Sequence, residues 1–186
     1  PDRIVIIGAG AVGLECAYVY AMYGAKVTVV ERAAQALPGA GPDVAQVVER
    51  EFRRNKVEIR TNTRFEELKV EANGVRVIVK KGDASEALEA DQVLVAIGRR
   101  ALSADLGLEA AGVATDAKGF VPVDASFATN VPTVRAIGDL VGAPLLAHKA
   151  SEEGVAAAEV LAGIARGPID HRKIPACIYC QPQVAW

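Results

Sequence analysis

This 186-residue sequence has few cysteines, almost no excess of charge of one sign and no long apolar run. Three cysteines are too few for a disulfide framework. The formal net charge is -2 with acids and bases interspersed, so no basic patch is available for nucleic acid. No apolar run is as long as a membrane-spanning helix, and the chain opens on a strand-like run rather than a signal peptide. We therefore expect a cytoplasmic protein of one or two cores, with no nucleic-acid or membrane partner.

The most informative stretch is the beginning of the chain. Ile4 to Ile7 form a short β-branched run that predicts a buried strand. Gly8, Gly10 and Gly13 follow in the spacing G-x-G-x-x-G, then a helical pattern and a second strand that ends at Glu31. In such a unit the first glycine makes a tight turn, the second admits a pyrophosphate and the third lets the helix approach the strand. The pyrophosphate would bind at the helix N-terminus. The apolar positions of this helix, with Cys16 expected in the core, are Val12, Cys16, Val19, Tyr20 and Tyr23.

The acid at the end of the second strand indicates which cofactor binds. Glu31 lies about 20 residues past the glycines, where the dinucleotide motif has an acid. A carboxylate there can accept hydrogen bonds from the adenosine ribose and repels a 2′-phosphate, which predicts NAD rather than NADP. The neighbouring Arg32 leaves NADP open, because an arginine near this position can accommodate the phosphate. A Rossmann unit that does not bind a nucleotide is the alternative interpretation.

The chain continues with alternating helices and strands. A helix after Asp43 and a strand at 56–59 complete a β-α-β-α-β pattern. Asn73-Gly74 between two alternating runs predicts an antiparallel hairpin, with a further strand at 87–90 and a buried strand at 91–98. The sequence thus predicts an α/β fold, a Rossmann-like parallel sheet with helices on both faces and an antiparallel β-meander insertion.

Patterns in the second half of the sequence are weaker. Glycines and a proline break the chain into connecting segments with one short strand near 120–123. A strand and turn at 134–139 and an alanine-rich helix at 145–165 follow. The last predicted strand begins at Ile174 and reaches Trp186 without a turn or cap, so we expect a truncated fragment of a longer protein.

Four stretches of the sequence resemble a known family. They are 8–15 with 26–31, 95–99, 129–139 with 146–154, and 174–186. The Gly-Asp pair at 138–139 and the Leu-Ala-His-Lys-Ala block at 146–150 are far more specific than the glycine motif alone. Together these stretches resemble the flavin-dependent pyridine nucleotide-disulfide oxidoreductases, and within that family the dihydrolipoamide dehydrogenases most closely.

The resemblance implies three segments. Residues 1–118 correspond to an NAD-binding Rossmann domain, 119–166 to the C-terminal segment of an FAD-binding domain, and 167–186 to the truncated start of a dimerisation or interface domain. NAD and FAD are the implied cofactors of the complete protein. Its missing FAD and interface domains are the implied partners of this chain, and the complete enzyme is implied to be a homodimer that serves a 2-oxoacid dehydrogenase complex.

The resemblance also implies roles for individual residues. Glu15 would lie between nicotinamide and flavin and help to position the carboxamide, and Asp139 would accept a hydrogen bond from a ribityl hydroxyl. The helix start at 146–148 would face the pyrimidine edge of the flavin. The implied NAD contacts are Gly8, Gly10, Val12, Gly13, Glu15, Glu31 and Gly98, and the implied FAD contacts are Gly138, Asp139, Leu146, Ala147 and His148. The redox-active disulfide and the His-Glu base of the family lie outside this chain, so no catalytic group is expected in it.

Two pairs of residues mimic catalytic or metal sites. His148 and Glu153 have the spacing of the family's base pair, but side chains five positions apart on a helix point to different faces, so we expect a helix-start histidine beside solvated glutamates. Cys177 and Cys180 lack a following helix N-terminus and a second ligand pair, so we expect neither redox nor metal chemistry there. His171, in a polar loop, is expected to be exposed.

The resemblance predicts electron transfer from dihydrolipoamide, through a disulfide and FAD, to NAD. This chain would supply the NAD site and part of the flavin site, and it would be inactive alone. A stand-alone NAD-binding module without catalysis is one alternative. A related flavoenzyme of the same family, such as a mercuric-type reductase or a peroxidase, is the other.

Overall fold

The computed structural model describes residues 1–164 and 167–186. The chain divides into two compact units, Pro1–Gly98 with Pro175–Trp186, and Arg99–Ile174. The predicted division into segments 1–118, 119–166 and 167–186 stays a prediction. The predicted helix end at 165 and the segment boundary at 166 lie outside the described residues.

The first unit contains a parallel sheet, an antiparallel meander and two helices. In chain order these are β1 (Arg3–Ile7), α1 (Ala11–Met22), β2 (Lys26–Val30), α2 (Pro42–Arg54), β3 (Glu58–Arg60), β4 (Arg64–Glu71), β5 (Gly74–Lys81), β6 (Ala84–Ala90) and β7 (Gln92–Val95). The parallel sheet has the order β3-β2-β1-β7, and β4, β5 and β6 form the meander. Asn73 lies in the turn between β4 and β5, as its dipeptide with Gly74 predicts. The α/β class and the antiparallel insertion are confirmed.

The two faces of the parallel sheet are covered by different layers. Alternate residues of a strand point to opposite faces. Ile4 and Ile6 of β1 accordingly share a cluster with residues of α1 and α2, whereas Val5 and Ile7 pack against the meander. Both long helices of this unit therefore cover one face, and the meander covers the face on which the sequence predicted a second helix layer.

Helix α1 buries two small residues and one leucine. Gly13, Leu14 and Ala17 are its buried positions, whereas Val19 and Tyr23, which the helical spacing assigned to the apolar face, are exposed. The sheet lies close to α1 because Gly13 has no side chain, and the buried positions beside it are Leu14 and Ala17 and none of the tyrosines. The apolar face predicted for α1 is thus wrong for Val12, Val19 and Tyr23, whereas Cys16 and Tyr20 do pack half-buried against the core.

The second unit contains a 3-10 helix, Gly138–Val141, and α3 (Ala147–Leu161), preceded by irregular segments. The strands predicted near 120–123 and 134–139 do not form, and within the described part of this unit a single isolated bridge joins Ala128 to Arg135. Directly after the first of these segments, the Asp124 carboxylate accepts hydrogen bonds from the amides of Ser126 and Ala128 and holds a turn.

The C-terminal residues return to the first unit. β8 (Cys177–Ile178) and β9 (Val184–Ala185) form a short antiparallel pair in place of the single strand predicted from Ile174. Ile178 and Cys180 are buried in the same cluster as Leu14 of α1. Among the helices of residues 1–164 and 167–186, none has the length and apolar composition required to cross a bilayer.

Candidate nucleotide-binding sites

The three glycines after β1 differ in what surrounds them. A Cβ built on Gly8, which has φ +104°, would lie 2.4 Å from the Ala96 carbonyl oxygen, and one on Gly13 would lie 1.9 Å from the Gly8 oxygen. No atom of the described residues lies within 4 Å of a Cβ built on Gly10. Protein packing therefore requires the first and third glycines, whereas the second leaves its backbone open to an approaching group.

The glycine loop between β1 and α1 lies where a parallel sheet binds ligands. It follows β1, Glu31 follows β2, and Ala96 follows β7, so all three lie at the carboxyl ends of neighbouring strands. The chain leaves β1 towards β2 on one side, and β7 pairs on the other side, which makes this edge a topological switch point. Ligands of open α/β sheets bind in the crevice at such a point. Gly98, which ends the first unit, is similarly open, since a Cβ built on it would meet no described atom within 4 Å.

The start of α1 can hold an anion. Gly10 is the N-cap residue and provides no side-chain cap, and no acidic residue lies in the first turn. The first amides of a helix have no partner within it, and the helix dipole favours a negative charge there. Val12, in this first turn, is exposed. The residues present thus fit the pyrophosphate of a dinucleotide.

Glu31 is held firmly at the end of β2. Its side chain is buried, with 8% exposure, and its carboxylate accepts hydrogen bonds of 2.8 Å from the amides of Ala9 and Ala33. The bond from Ala9 joins the acid directly to the glycine loop. A carboxylate has about four acceptor positions, so two amide donors leave capacity for ribose hydroxyls.

A long-range hydrogen bond holds Glu15. Its Oε1 atom accepts from the Tyr179 amide at 2.9 Å, so the C-terminal strand pair meets α1 at this carboxylate. Nothing in the sequence signals this bond, since the two residues are 164 positions apart. The hydrogen bond with Cys177 raises the pKa of Tyr179, and the Glu15 carboxylate acts in the same direction.

The two C-terminal cysteines have separate partners. The Cys177 thiol donates to the Tyr179 hydroxyl at 3.3 Å, and the Cys180 thiol donates to the Pro182 carbonyl at 3.3 Å. Burial raises the pKa of Cys180, which disfavours its reactive thiolate form. Among the described residues, no group of three or more His, Cys, Asp or Glu side chains could hold a metal ion.

In the second unit, two buried charges bind the turn that contains the predicted flavin residues. Lys149 and Glu153 are 0% and 1% exposed and lie one turn apart on α3, with Nζ 3.3 Å from Oε1. The Lys149 ammonium donates to the carbonyls of Gly138 and Gly142, both at 2.8 Å. The Gly138 amide donates to Glu153 Oε2 at 2.7 Å. We call these four residues and their bonds the turn clasp.

The structure corrects one prediction about this region and adds a contact to another. The sequence predicts a solvated Glu153, but this side chain is buried because an ammonium and a backbone amide satisfy its carboxylate. His171 is exposed, as predicted, and the structure adds that its Nε2 lies 3.1 Å from Glu153 Oε1. His148 is exposed at the start of α3, so His148 and Glu153 do point in different directions, as predicted.

The other predicted flavin residues lie at two neighbouring places in this unit. Asp139 is half-exposed in the 3-10 helix, and its Oδ2 lies 3.3 Å from Arg99 Nη1. Leu146 is the N-cap residue of α3, and Ala147 and His148 open the helix, which has no acidic residue in its first turn. Sequence reasoning missed Lys149 and Glu153, although a Lys-Glu pair with i,i+4 spacing on an alanine-rich helix was a visible signal.

A glycine loop at the switch point of a parallel sheet, with a buried acid on the next strand, defines a dinucleotide-fold protein. The comparison with known families is more specific. The model of the pyridine nucleotide-disulphide oxidoreductase family matches residues 1–154, and the chain belongs to this family. The resemblance seen in the sequence is thereby confirmed.

Individual relatives agree with this assignment. Dihydrolipoyl dehydrogenase 2, mitochondrial, of Arabidopsis thaliana is 40% identical over all of this chain, and the dihydrolipoyl dehydrogenase of Geobacillus stearothermophilus is 37% identical. The chain spans 37% and 39% of their lengths. The structure of LpdA from Mycobacterium tuberculosis matches with a TM-score of 0.91 and 29% identity, over 100% of this chain and 40% of that one. RclA from Escherichia coli, a HOCl-induced flavoprotein disulfide reductase, matches over 100% of this chain and 42% of that one, with a TM-score of 0.87 and 28% identity.

Proposed function

We propose that this chain is the NAD-binding portion of a flavin-dependent disulfide oxidoreductase, most closely a dihydrolipoamide dehydrogenase. The complete protein would oxidise dihydrolipoamide to lipoamide and reduce NAD to NADH, and this fragment would be inactive alone. Residues 1–118 would be its NAD-binding domain, 119–166 part of its flavin domain and 167–186 the start of its dimer interface. FAD, when bound, would supply the two-electron relay between the dithiol and NAD.

The open position of Gly10 is the observation that carries this proposal. Gly8 and Gly13 have a packing reason to be glycine, because a Cβ would collide with backbone atoms. Gly10 has no such reason, since its φ of -75° and ψ of -176° suit any residue and no described atom is near. Close approach of a ligand to the backbone explains a glycine there.

The residues around Gly10 have complementary tasks in the proposed NAD site. The first amides of α1, including those of Val12 and Gly13, would bind the pyrophosphate. Glu31 would accept the hydroxyls of the adenosine ribose, and its bonds from Ala9 and Ala33 keep the carboxylate in place for this. Glu15 would orient the nicotinamide carboxamide, with the Tyr179 amide holding one of its oxygens. Gly98 would let the backbone pass close to NAD.

The second unit has the corresponding tasks for FAD. Gly138 and Asp139 would meet the ribityl chain, with the Asp139 carboxylate accepting a hydroxyl. Leu146, Ala147 and His148 would present the positive end of α3 to the pyrimidine edge of the flavin. The absence of acidic residues from the first turn of α3 supports this assignment, because a carboxylate there would oppose the developing negative charge.

Titration of the 186-residue chain with NADH and with NADPH tests the proposal, with cofactor fluorescence as the signal. We expect NADH to bind more tightly, and Glu31→Gln to reduce the difference because it removes the charge that repels a 2′-phosphate. Glu66→Gln, an exposed carboxylate on β4, is the matched control and should leave both affinities unchanged. Preference of the unaltered chain for NADPH would overturn the role of Glu31, and no binding of either cofactor would overturn the proposed function.

Sequencing the gene around this chain is a second, independent test. The proposal requires a further G-x-G-x-x-G and a pair of cysteines separated by four residues before this chain, and a His-Glu pair after it. A gene that encodes these residues alone would favour a stand-alone NAD-binding module. Flanking domains that keep the G-x-G-x-x-G but lack the His-Glu pair would favour another flavoenzyme of the family, a possibility to which the likeness to RclA also points.

A further inference from the structure

The turn clasp engages the backbone of Gly138 on both sides. The Gly138 amide donates to Glu153, and the Gly138 carbonyl accepts from Lys149. The same ammonium binds the Gly142 carbonyl, so both ends of the 3-10 turn are bound to one side chain. Gly138 has φ +73°, a conformation that glycine adopts without strain. The clasp therefore fixes the direction in which the chain enters Asp139.

The clasp also joins two separate segments of the proposed flavin site. Asp139 lies in the turn, whereas 146–148 form the start of α3, and irregular residues connect them. Lys149 and Glu153 belong to α3, and every backbone group that they bind in the clasp belongs to the turn. Side chains in the first and second turns of α3 thus hold the turn and the helix start as one body.

Packing alone does not account for these charges. A buried ion pair can often be replaced by apolar residues of similar volume without loss of stability, because removal of both charges from water is unfavourable. Neighbouring positions of α3, Ala156 and Ala157, are buried against Phe127 with apolar side chains. What an apolar pair could not provide are directional bonds to Gly138 and Gly142.

We infer that Lys149 and Glu153 are positioning residues for the flavin, which hold Asp139 and the start of α3 in the relative placement that FAD requires. His171 is a third side chain that supports the turn clasp. It reaches Glu153 Oε1 from the 3-10 helix His171–Lys173 and fixes the carboxylate that receives the Gly138 amide. The inference rests on the proposed function, because it assigns a task within the flavin site.

The test uses the complete product of the gene that encodes this chain, with FAD as the probe. Lys149→Met removes both carbonyl contacts and leaves Glu153 buried without its charged partner. The double variant Lys149→Met with Glu153→Met removes the clasp without leaving a lone buried charge. Phe127→Leu, which loosens the packing on Ala156 and Ala157 of α3 and removes none of the four hydrogen-bonding groups of the clasp, is the matched control for lost stability. Each protein is stripped of flavin and titrated, and its melting temperature and bound-flavin absorption spectrum are recorded.

We expect the double variant to melt higher than Lys149→Met and yet bind FAD about 10- to 100-fold more weakly than the unaltered protein, the effect of one misplaced hydrogen bond to a charged group. The absorption spectrum of the bound flavin should also change in the double variant, whereas its affinity for NADH should stay the same. If Lys149→Met does not fold, the FAD affinity of the double variant alone tests the inference.

Two results would overturn the inference. One is recovery of full FAD affinity in the double variant together with its stability, which would show a purely structural pair. The other is an equal loss of FAD affinity in Phe127→Leu. Failure of the unaltered protein to bind FAD would instead refute the flavin part of the proposed function, and it is recognised before any variant is compared.

Discussion

Replacement of Gly10 and Gly13 by alanine, one at a time, should separate ligand binding from folding within a single loop. A Cβ on Gly13 would lie 1.9 Å from the Gly8 carbonyl oxygen, a backbone atom that cannot rotate away. Helix α1 would have to move from β1 by about 1 Å to restore an ordinary contact, and such overpacking costs about 1–3 kcal/mol or more. Better helix propensity returns about 1 kcal/mol at most. We expect a net loss of about 1–2 kcal/mol.

Gly10→Ala should behave differently. Its backbone angles suit alanine and no described atom lies within 4 Å of the added Cβ. Loss of a glycine N-cap costs a few tenths of a kcal/mol to about 1 kcal/mol, and the stiffer unfolded chain returns about 0.4–1 kcal/mol. Stability should therefore stay nearly unchanged, while the methyl group blocks the pyrophosphate and weakens NADH binding about tenfold or more.

Urea unfolding followed by circular dichroism and NADH titration measure the two effects on the same samples. For Gly13→Ala we expect a urea midpoint lower by about 1 M, since the free energy changes by about 1–3 kcal/mol per molar urea in small proteins. Equal losses of stability in both variants would refute the distinction between the glycines. NADH affinity of Gly10→Ala at the level of the unaltered chain would refute the assignment of Gly10 to the ligand.

Two further predictions concern titratable side chains. Hydrogen bonds from the amide and guanidinium of Arg3 lower the pKa of Asp91 below its usual value, so the stability it contributes is present at neutral pH and is lost as the pH falls through the lowered pKa. Asp91→Asn should thus lower the urea midpoint at pH 7 but not in strong acid. The control Asp83→Asn, in an exposed turn, should leave the urea midpoint unchanged at both pH values. A lower midpoint of Asp91→Asn that persists in acid would contradict the prediction. Cys180, whose pKa burial raises, should react with iodoacetamide more slowly than the half-buried Cys177 in the folded chain, as mass spectrometry of labelled peptides can show. Faster labelling of Cys180 would mean that the C-terminal strand pair opens readily.

Local signals allow most of the first unit to be predicted. The β-branched run before Gly8 and the Asn73-Gly74 turn each specify their structure within a few residues, and the observed strands lie close to the expected ones. The prediction of the packed face of α1 is right for Cys16 and Tyr20 but wrong for the exposed Val12, Val19 and Tyr23, because spacing alone does not show which residues meet the sheet. Gly13 and Ala17 let α1 lie close to the sheet, and Leu14 is the large side chain that it buries.

The contacts that shape the candidate sites depend on distant parts of the chain. The bond between Glu15 and the Tyr179 amide and the contact between Glu153 and His171 join residues 164 and 18 positions apart. Sequence spacing contains no information about such pairs, since they exist only after separate segments have packed. The sequence predicts the carboxylate of Glu31 at the correct end of β2, but its bond to the Ala9 amide follows from the detailed path of the loop.

The position of β7 beside β1 has a consequence for biosynthesis. As the chain leaves the ribosome, β1 can pair with β2 early, but its other edge has no partner until residues 92–95 emerge. An unpaired edge of Ile and Val is a template for association with other chains. The meander between β3 and β7 is made of neighbouring strands that fold rapidly, and it shortens the effective loop that β7 must close. We therefore expect substitutions that slow the meander to increase aggregation of newly made chains more than they reduce the stability of the folded protein.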